Sequence, residues 1–156
     1  LVWALFPGAH AAPNRAAARE LALRGAVSWH RWPNERDAQW VFGGDAWDVW
    51  IAALGQEELT HHSEACSVNH VVYAECRRHA ANFLAAQGPD YAAAAAAYAD
   101  VADALDVLCA AWPFPAPVPP LRVRRDLVEQ LRRARDAEAR GVAALDAVLS
   151  PQAVSA

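Results

Sequence analysis

The sequence contains no methionine and no lysine, and among its 156 residues there is a single isoleucine, Ile51. Without Met it carries no initiator, so the chain is expected to be a piece of a longer protein or a processed product. Without Lys, all fourteen basic residues are arginine, and against eighteen acidic residues they leave a net charge of −4. That balance removes the electrostatic case for nucleic acid or for an anionic membrane as a partner. Only three cysteines are present (Cys66, Cys76 and Cys109), an odd number at no framework spacing, as expected of reduced thiols in a cytoplasmic protein. The apolar run Leu1-Val2-Trp3-Ala4-Leu5-Phe6 is too short to span a membrane and lacks the basic flank and cleavage pattern of a signal peptide. There is no glycine-rich phosphate loop, Ser-His-Asp signature or basic aromatic stripe, and no cofactor is expected.

What the chain does have is alanine, about a quarter of all residues, and seven tryptophans. Alanine favours helix and close helix packing while burying little area, so bulky burial falls to Leu, Val and Trp. The arginine-only basic set, the alanine and the lone Ile are what a GC-rich bacterial genome would encode. An all-α fold is expected, a bundle of about five helices preceded by a short strand and drawn from a larger α+β protein. The expected layout is one helical domain over 1–156. It comprises strand and loop over 1–12, four helices over 13–112, a proline-rich strap over 113–120 and a last helix over 121–149. Leu1–Phe6 reads as a strand cut from its sheet, because one strand has no partner in a helical remainder.

Periodicity and caps place the helices. Asn14 caps the first, which runs to about Trp29 with Ala18, Leu21, Ala22 and Val27 on its apolar side and Arg15, Arg19 and Arg24 opposite. Gly43-Gly44-Asp45 opens the second, where Trp47, Trp50, Ile51 and Leu54 repeat as a buried face ending at Gly55. The third covers about Ala65 to Ala86, with Val68, Val72, Cys76, His79, Ala80 and Phe83 as one stripe. Gly88-Pro89-Asp90 leads into the fourth, Tyr91 to about Ala111. Its six consecutive alanines, 92–97, flanked by Tyr91, Tyr98, Val101, Leu105 and Leu108, are read as the place where a neighbouring helix comes close. Five prolines between 113 and 120 exclude helix there and imply an extended strap. The last helix places Leu127, Leu131, Ala134, Glu138, Val142, Leu145 and Leu149 on one face.

Glu138 is the residue that breaks its pattern. A lone carboxylate on an apolar stripe costs several kcal/mol, so it must be paired, protonated or facing a cavity. Arg77, Arg78 and His79 are its candidate partners, either in a structural ion pair or as the polar anchor of a ligand pocket. Trp47 and Trp50, with Trp40 and Phe42 before them, are candidate walls for a small molecule, although aromatics at helical spacing are more often core. Asn69 and Tyr73 are polar-tipped residues one turn apart. His61, Cys66 and His70 offer a metal alternative, since Cys66 and His70 share a helix side, but the spacing matches no standard zinc pattern. Cys76 and His79, three residues apart, form the minimum of a nucleophile and base; a mid-helix thiol among apolar neighbours is more often inert.

The segment Gly44-Asp45-Ala46-Trp47-Asp48-Val49-Trp50-Ile51-Ala52-Ala53-Leu54 resembles a G-x-x-A-aromatic-x-x-W-x-x-A-L helix. That helix belongs to the helical portion of bacterial cysteine-peptidase-like proteins related to the butirosin-biosynthesis acyltransferase. The likeness continues through Asn69, Tyr73-Ala74-Glu75, Arg77-Arg78, Ala80 and Phe83-Leu84, then Trp112-Pro113-Phe114-Pro115 and Glu138. It spans most of the chain from Pro13 onward, in soft patterns of aromatics and alanine. The resemblance implies a papain-like catalytic part of the same chain, upstream of Leu1, with this segment as a non-catalytic module that packs on it and shapes the substrate cleft. No catalytic residue is carried over. Trp47, Trp50, Asn69, Tyr73, Arg77, Arg78 and Glu138 become the ligand or interface candidates. A standalone bundle binding a metal or small molecule, or an interaction module that pairs with a partner or a second copy, is the alternative.

Overall fold

The computed structural model describes residues 14–34, 40–55, 64–111 and 125–150. Five α-helices fill them: α1 (Arg15–His30), α2 (Asp45–Leu54), α3 (Glu64–Ala85), α4 (Ala92–Ala111) and α5 (Arg125–Leu149), with a 3-10 turn at Pro89–Tyr91. Among the described residues there is no strand, and no helix is long and apolar enough to cross a membrane. The segments 1–13 and 112–124, which hold the expected strand and the proline-rich strap, lie outside the described residues, as do His61 and His62.

The helices start and stop for local reasons. Asn14 holds extended dihedrals and its Oδ1 accepts from the Ala16 and Ala17 amides, both at 3.1 Å, answering two donors the first turn leaves unpaired. At the far end of α1 the His30 carbonyl accepts from the Gly44 amide at 2.8 Å, which brings the start of α2 onto the end of α1. Gly43 makes this approach possible. It sits at φ 66°, and a Cβ there would lie 2.5 Å from the His30 carbonyl oxygen and 2.7 Å from that of Trp29.

α4 is the central helix. It packs against α3 on one side and α5 on the other, while α1 and α2 rest on α5. Ala94, Ala95, Ala97, Tyr98, Val101, Ala102, Ala104, Leu105 and Leu108 are all buried along it, a wide apolar surface of the kind an interior helix needs. The alanine run does bring helices close. A Cβ on Gly141 of α5 would come 3.1 Å from the Tyr98 ring and 3.4 Å from Ala97 Cβ. The stripe read on α5 is buried throughout, from Leu127 to Leu149, with Glu138 in its middle. Arg24 ties α1 to the end of this helix through a 2.8 Å hydrogen bond to the Leu149 carbonyl, one of the last-turn acceptors.

Two faces differ from their sequence reading. On α1 the buried residues are Leu23 and Val27, whereas Leu21 is 74% exposed and Ala18 and Ala22 also face outward. On α3 the buried line is His70, Ala74, Ala81 and Leu84, with Arg77 half-buried between them. Val72, Cys76, His79 and Phe83, read as the core stripe, are exposed. The observed and expected α3 faces differ by about two residues, which on a helix of about 3.6 residues per turn is the opposite side. The cause is the close fit to α4. Ala74 and Ala81 let α3 approach the alanine surface of α4, while Val72 and Phe83 are turned outward.

Substituting Gly43→Ala should therefore lower stability by about 1–3 kcal/mol, because φ is left-handed and the clash is with backbone that cannot swing away. Urea unfolding measures it; a midpoint equal to the parent's would show that the turn is not what docks α2.

Candidate functional site

Glu138 projects from the buried stripe of α5 with only 7% of its side chain exposed, and both of its oxygens are engaged. Arg77 Nη2 on α3 donates to Oε1 at 2.6 Å, and Trp47 Nε1 on α2 donates to Oε2 at 2.5 Å. A guanidinium offsets the charge of a carboxylate so placed, and two short charge-assisted bonds replace its lost hydration. Of the three partners considered, Arg77 is the one used. Arg78 turns instead to α4, where it pairs with Asp106 and lies 3.8 Å from Asp103, and His79 is exposed.

An aromatic wall grows from the same point. Trp47 and Trp50, three residues apart on α2, stack with centroids 5.5 Å apart. Trp50 then stacks on the buried His70 at 5.0 Å and meets Tyr73 at 6.0 Å, both from α3. The Arg77 guanidinium lies over the Tyr73 ring at 5.4 Å, a cation–π contact that fixes its aim toward Glu138. From the α1 side Trp29 packs edge-on against Phe42 at 5.6 Å. α1 and α2 do not pack on α3 along the backbone, so a cavity of about 560 Å³ opens between them. Trp29 and Phe42 line one side of it, Trp50 and Tyr73 another, and Arg77 and Glu138 supply its charged groups.

Tyr98 of α4 also lines this cavity. Burial raises its hydroxyl to about 12, the Glu138 charge adds to the rise and Arg77 opposes it. The phenol is therefore neutral at any physiological pH and available as a donor.

Of the seven residues singled out from the sequence, Trp47, Trp50, Tyr73, Arg77 and Glu138 converge on this cavity, while Asn69 and Arg78 are exposed and do not line it. Trp40 is exposed outside it, although Phe42 belongs to it. Tyr98, Trp29 and His30 line the cavity without having been singled out. Tyr98 reads in sequence as a packing residue beside an alanine run, and only the fold brings it to the cavity and under the influence of the Glu138 charge. Cys76 opens onto the cavity but His79 does not, so the two do not act there as nucleophile and base. His70 of the metal alternative is buried against Trp50; His61 and the Cys66 side chain lie outside the described residues. Among the described residues no three His, Cys, Asp or Glu side chains gather as a metal site. Comparison with family models, with curated proteins and with solved structures gives no match to this chain.

Two outcomes follow from this geometry. Glu138→Ala strands a largely buried guanidinium and should cost about 3–5 kcal/mol of unfolding free energy, most of it regained when Arg77→Met and Glu138→Leu are combined. A single variant within about 1 kcal/mol of the parent would show that the pair is not structural. Tyr98 should ionise only near pH 12, as followed by phenolate absorbance. Its folded value lies above the unfolded value of 10, so its stabilising contribution is complete below pH 10 and disappears as pH rises toward 12. Tyr98→Phe should abolish that loss; an unchanged alkaline profile would assign it elsewhere.

Proposed function

We propose that this chain is a non-catalytic helical module that packs on a cysteine-peptidase-like part and shapes its substrate cleft, contributing a cavity that receives a small organic ligand. The observation that carries the reading is the cavity itself. Five residues drawn from three helices meet there around one buried, neutralised carboxylate. The volume of about 560 Å³ lies within the range of roughly 300–1,000 Å³ typical of small-molecule sites, as does the mixture of aromatic walls with a few fixed polar groups.

A second feature supports the packing half of the reading. Val72, Tyr73 and Phe83 of α3 are exposed, and so are Trp29 and Phe42 across the cavity. Apolar side chains grouped in this way favour a surface that another body covers. On this reading the bulky residues turned away from α4 face the catalytic-like part, and the cavity opens at the junction. Pairing with a second copy is the competing use of the same face.

Fragments test the cavity directly. Small planar aromatic compounds are expected to shift the indole N–H resonances of Trp47 and Trp50 in ¹H–¹⁵N spectra while leaving that of Trp40 in place. Shifts spread evenly over all tryptophans, or none at Trp47 and Trp50, would overturn the ligand-site reading.

A further inference from the structure

The cavity holds one positive and one negative side chain, and their surroundings differ enough to say which of them a ligand meets. Glu138 is the more deeply buried: 7% of its side chain is exposed, against 23% for Arg77. Both carboxylate oxygens already accept short hydrogen bonds, one from Arg77 and one from Trp47. Arg77 is less fully used. Its guanidinium has five N–H donors, of which one on Nη2 serves Glu138, and the residue lines the cavity. Tyr98 adds a neutral phenol to the same wall. The polar lining is thus richer in donors than in acceptors, and a guest that brings acceptors answers the imbalance. The remaining walls are rings, several of them well exposed before any ligand arrives, with Trp29 at 54% and Tyr73 at 44%. Flat apolar area is what they are suited to cover.

We propose that the cavity binds a planar aromatic carboxylate, its ring held among Trp29, Phe42, Trp50 and Tyr73 and its carboxylate accepting from Arg77. This rests on the ligand-cavity reading above and specifies the chemistry of the ligand. The guanidinium suits a carboxylate because its planar fork offers parallel donors, which a lysine at this position would not. Glu138 serves here as a positioning residue: it holds the guanidinium over the Tyr73 ring at the cavity wall. An ammonium ligand would have to compete with Arg77 and Trp47 for carboxylate oxygens that they already occupy.

Three probes of matched shape decide the matter: naphthoate, naphthylmethanol and naphthylmethylammonium, each titrated while the Trp47 and Trp50 indole resonances are followed. Naphthoate is expected to bind at least about tenfold more tightly than the alcohol, and the ammonium more weakly than either. Raising the salt concentration should weaken naphthoate and leave the alcohol unchanged. In the combined Arg77→Met, Glu138→Leu variant the preference for naphthoate should disappear while the alcohol still binds. Should that variant fail to fold, the ranking of the three probes on the unaltered chain is decisive alone. If the alcohol or the ammonium equals or exceeds naphthoate, the carboxylate assignment falls and the cavity reading stands. If no probe moves Trp47 or Trp50, both fall.

Discussion

Glu138 places a negative charge at the centre of an otherwise apolar helix face, and the positions of two other helices answer to it. α2 reaches it through the Trp47 indole and α3 through the Arg77 guanidinium, although these two helices do not pack on each other along the backbone. Three elements distant in sequence are therefore joined at one carboxylate. A buried pair of this kind adds little net stability compared with an apolar substitute, yet it is costly to break from one side only. What it fixes is orientation: the Trp47 ring, the Arg77 plane and the Tyr73 face are all set by it, and so is the shape of the cavity they line.

Small residues supply the complementary constraint. Along α4 the alanines allow α3 and α5 to approach until Gly141 meets the Tyr98 ring, and α3 turns Ala74, Ala81 and Leu84 inward. Val72 and Phe83 are turned outward as a consequence. The same crowding holds Tyr98 beside Glu138, where a phenol is kept neutral by burial and by its acidic neighbour. Packing and polarity are thus coupled: the tight core creates both the exposed apolar face and the donor-lined cavity. At the other margin, Gly43 lets the α2 start close onto the α1 carbonyls, which sets Trp29 and Phe42 opposite Trp50.

The sequence by itself determined the helical class, the order of the five helices and most of their limits, because these depend on local signals. Asn14 is a cap wherever it stands before a helix, Gly43-Gly44 breaks one, and the heptad-like spacing from Leu127 to Leu149 buries a single face. It also marked Glu138 as needing a partner and named Arg77 among the three on offer, since an unpaired charge on an apolar stripe is a local contradiction. Only the tertiary structure decided which face of α3 turns inward, that Arg77 rather than Arg78 reaches Glu138, and that Tyr98 belongs with them. Those outcomes depend on how close α4 permits its neighbours to come. Hydropathy spacing ranks side chains by transfer energy, and on α3 the close fit of Ala74 and Ala81 and the contacts of His70 and Arg77 outweighed it.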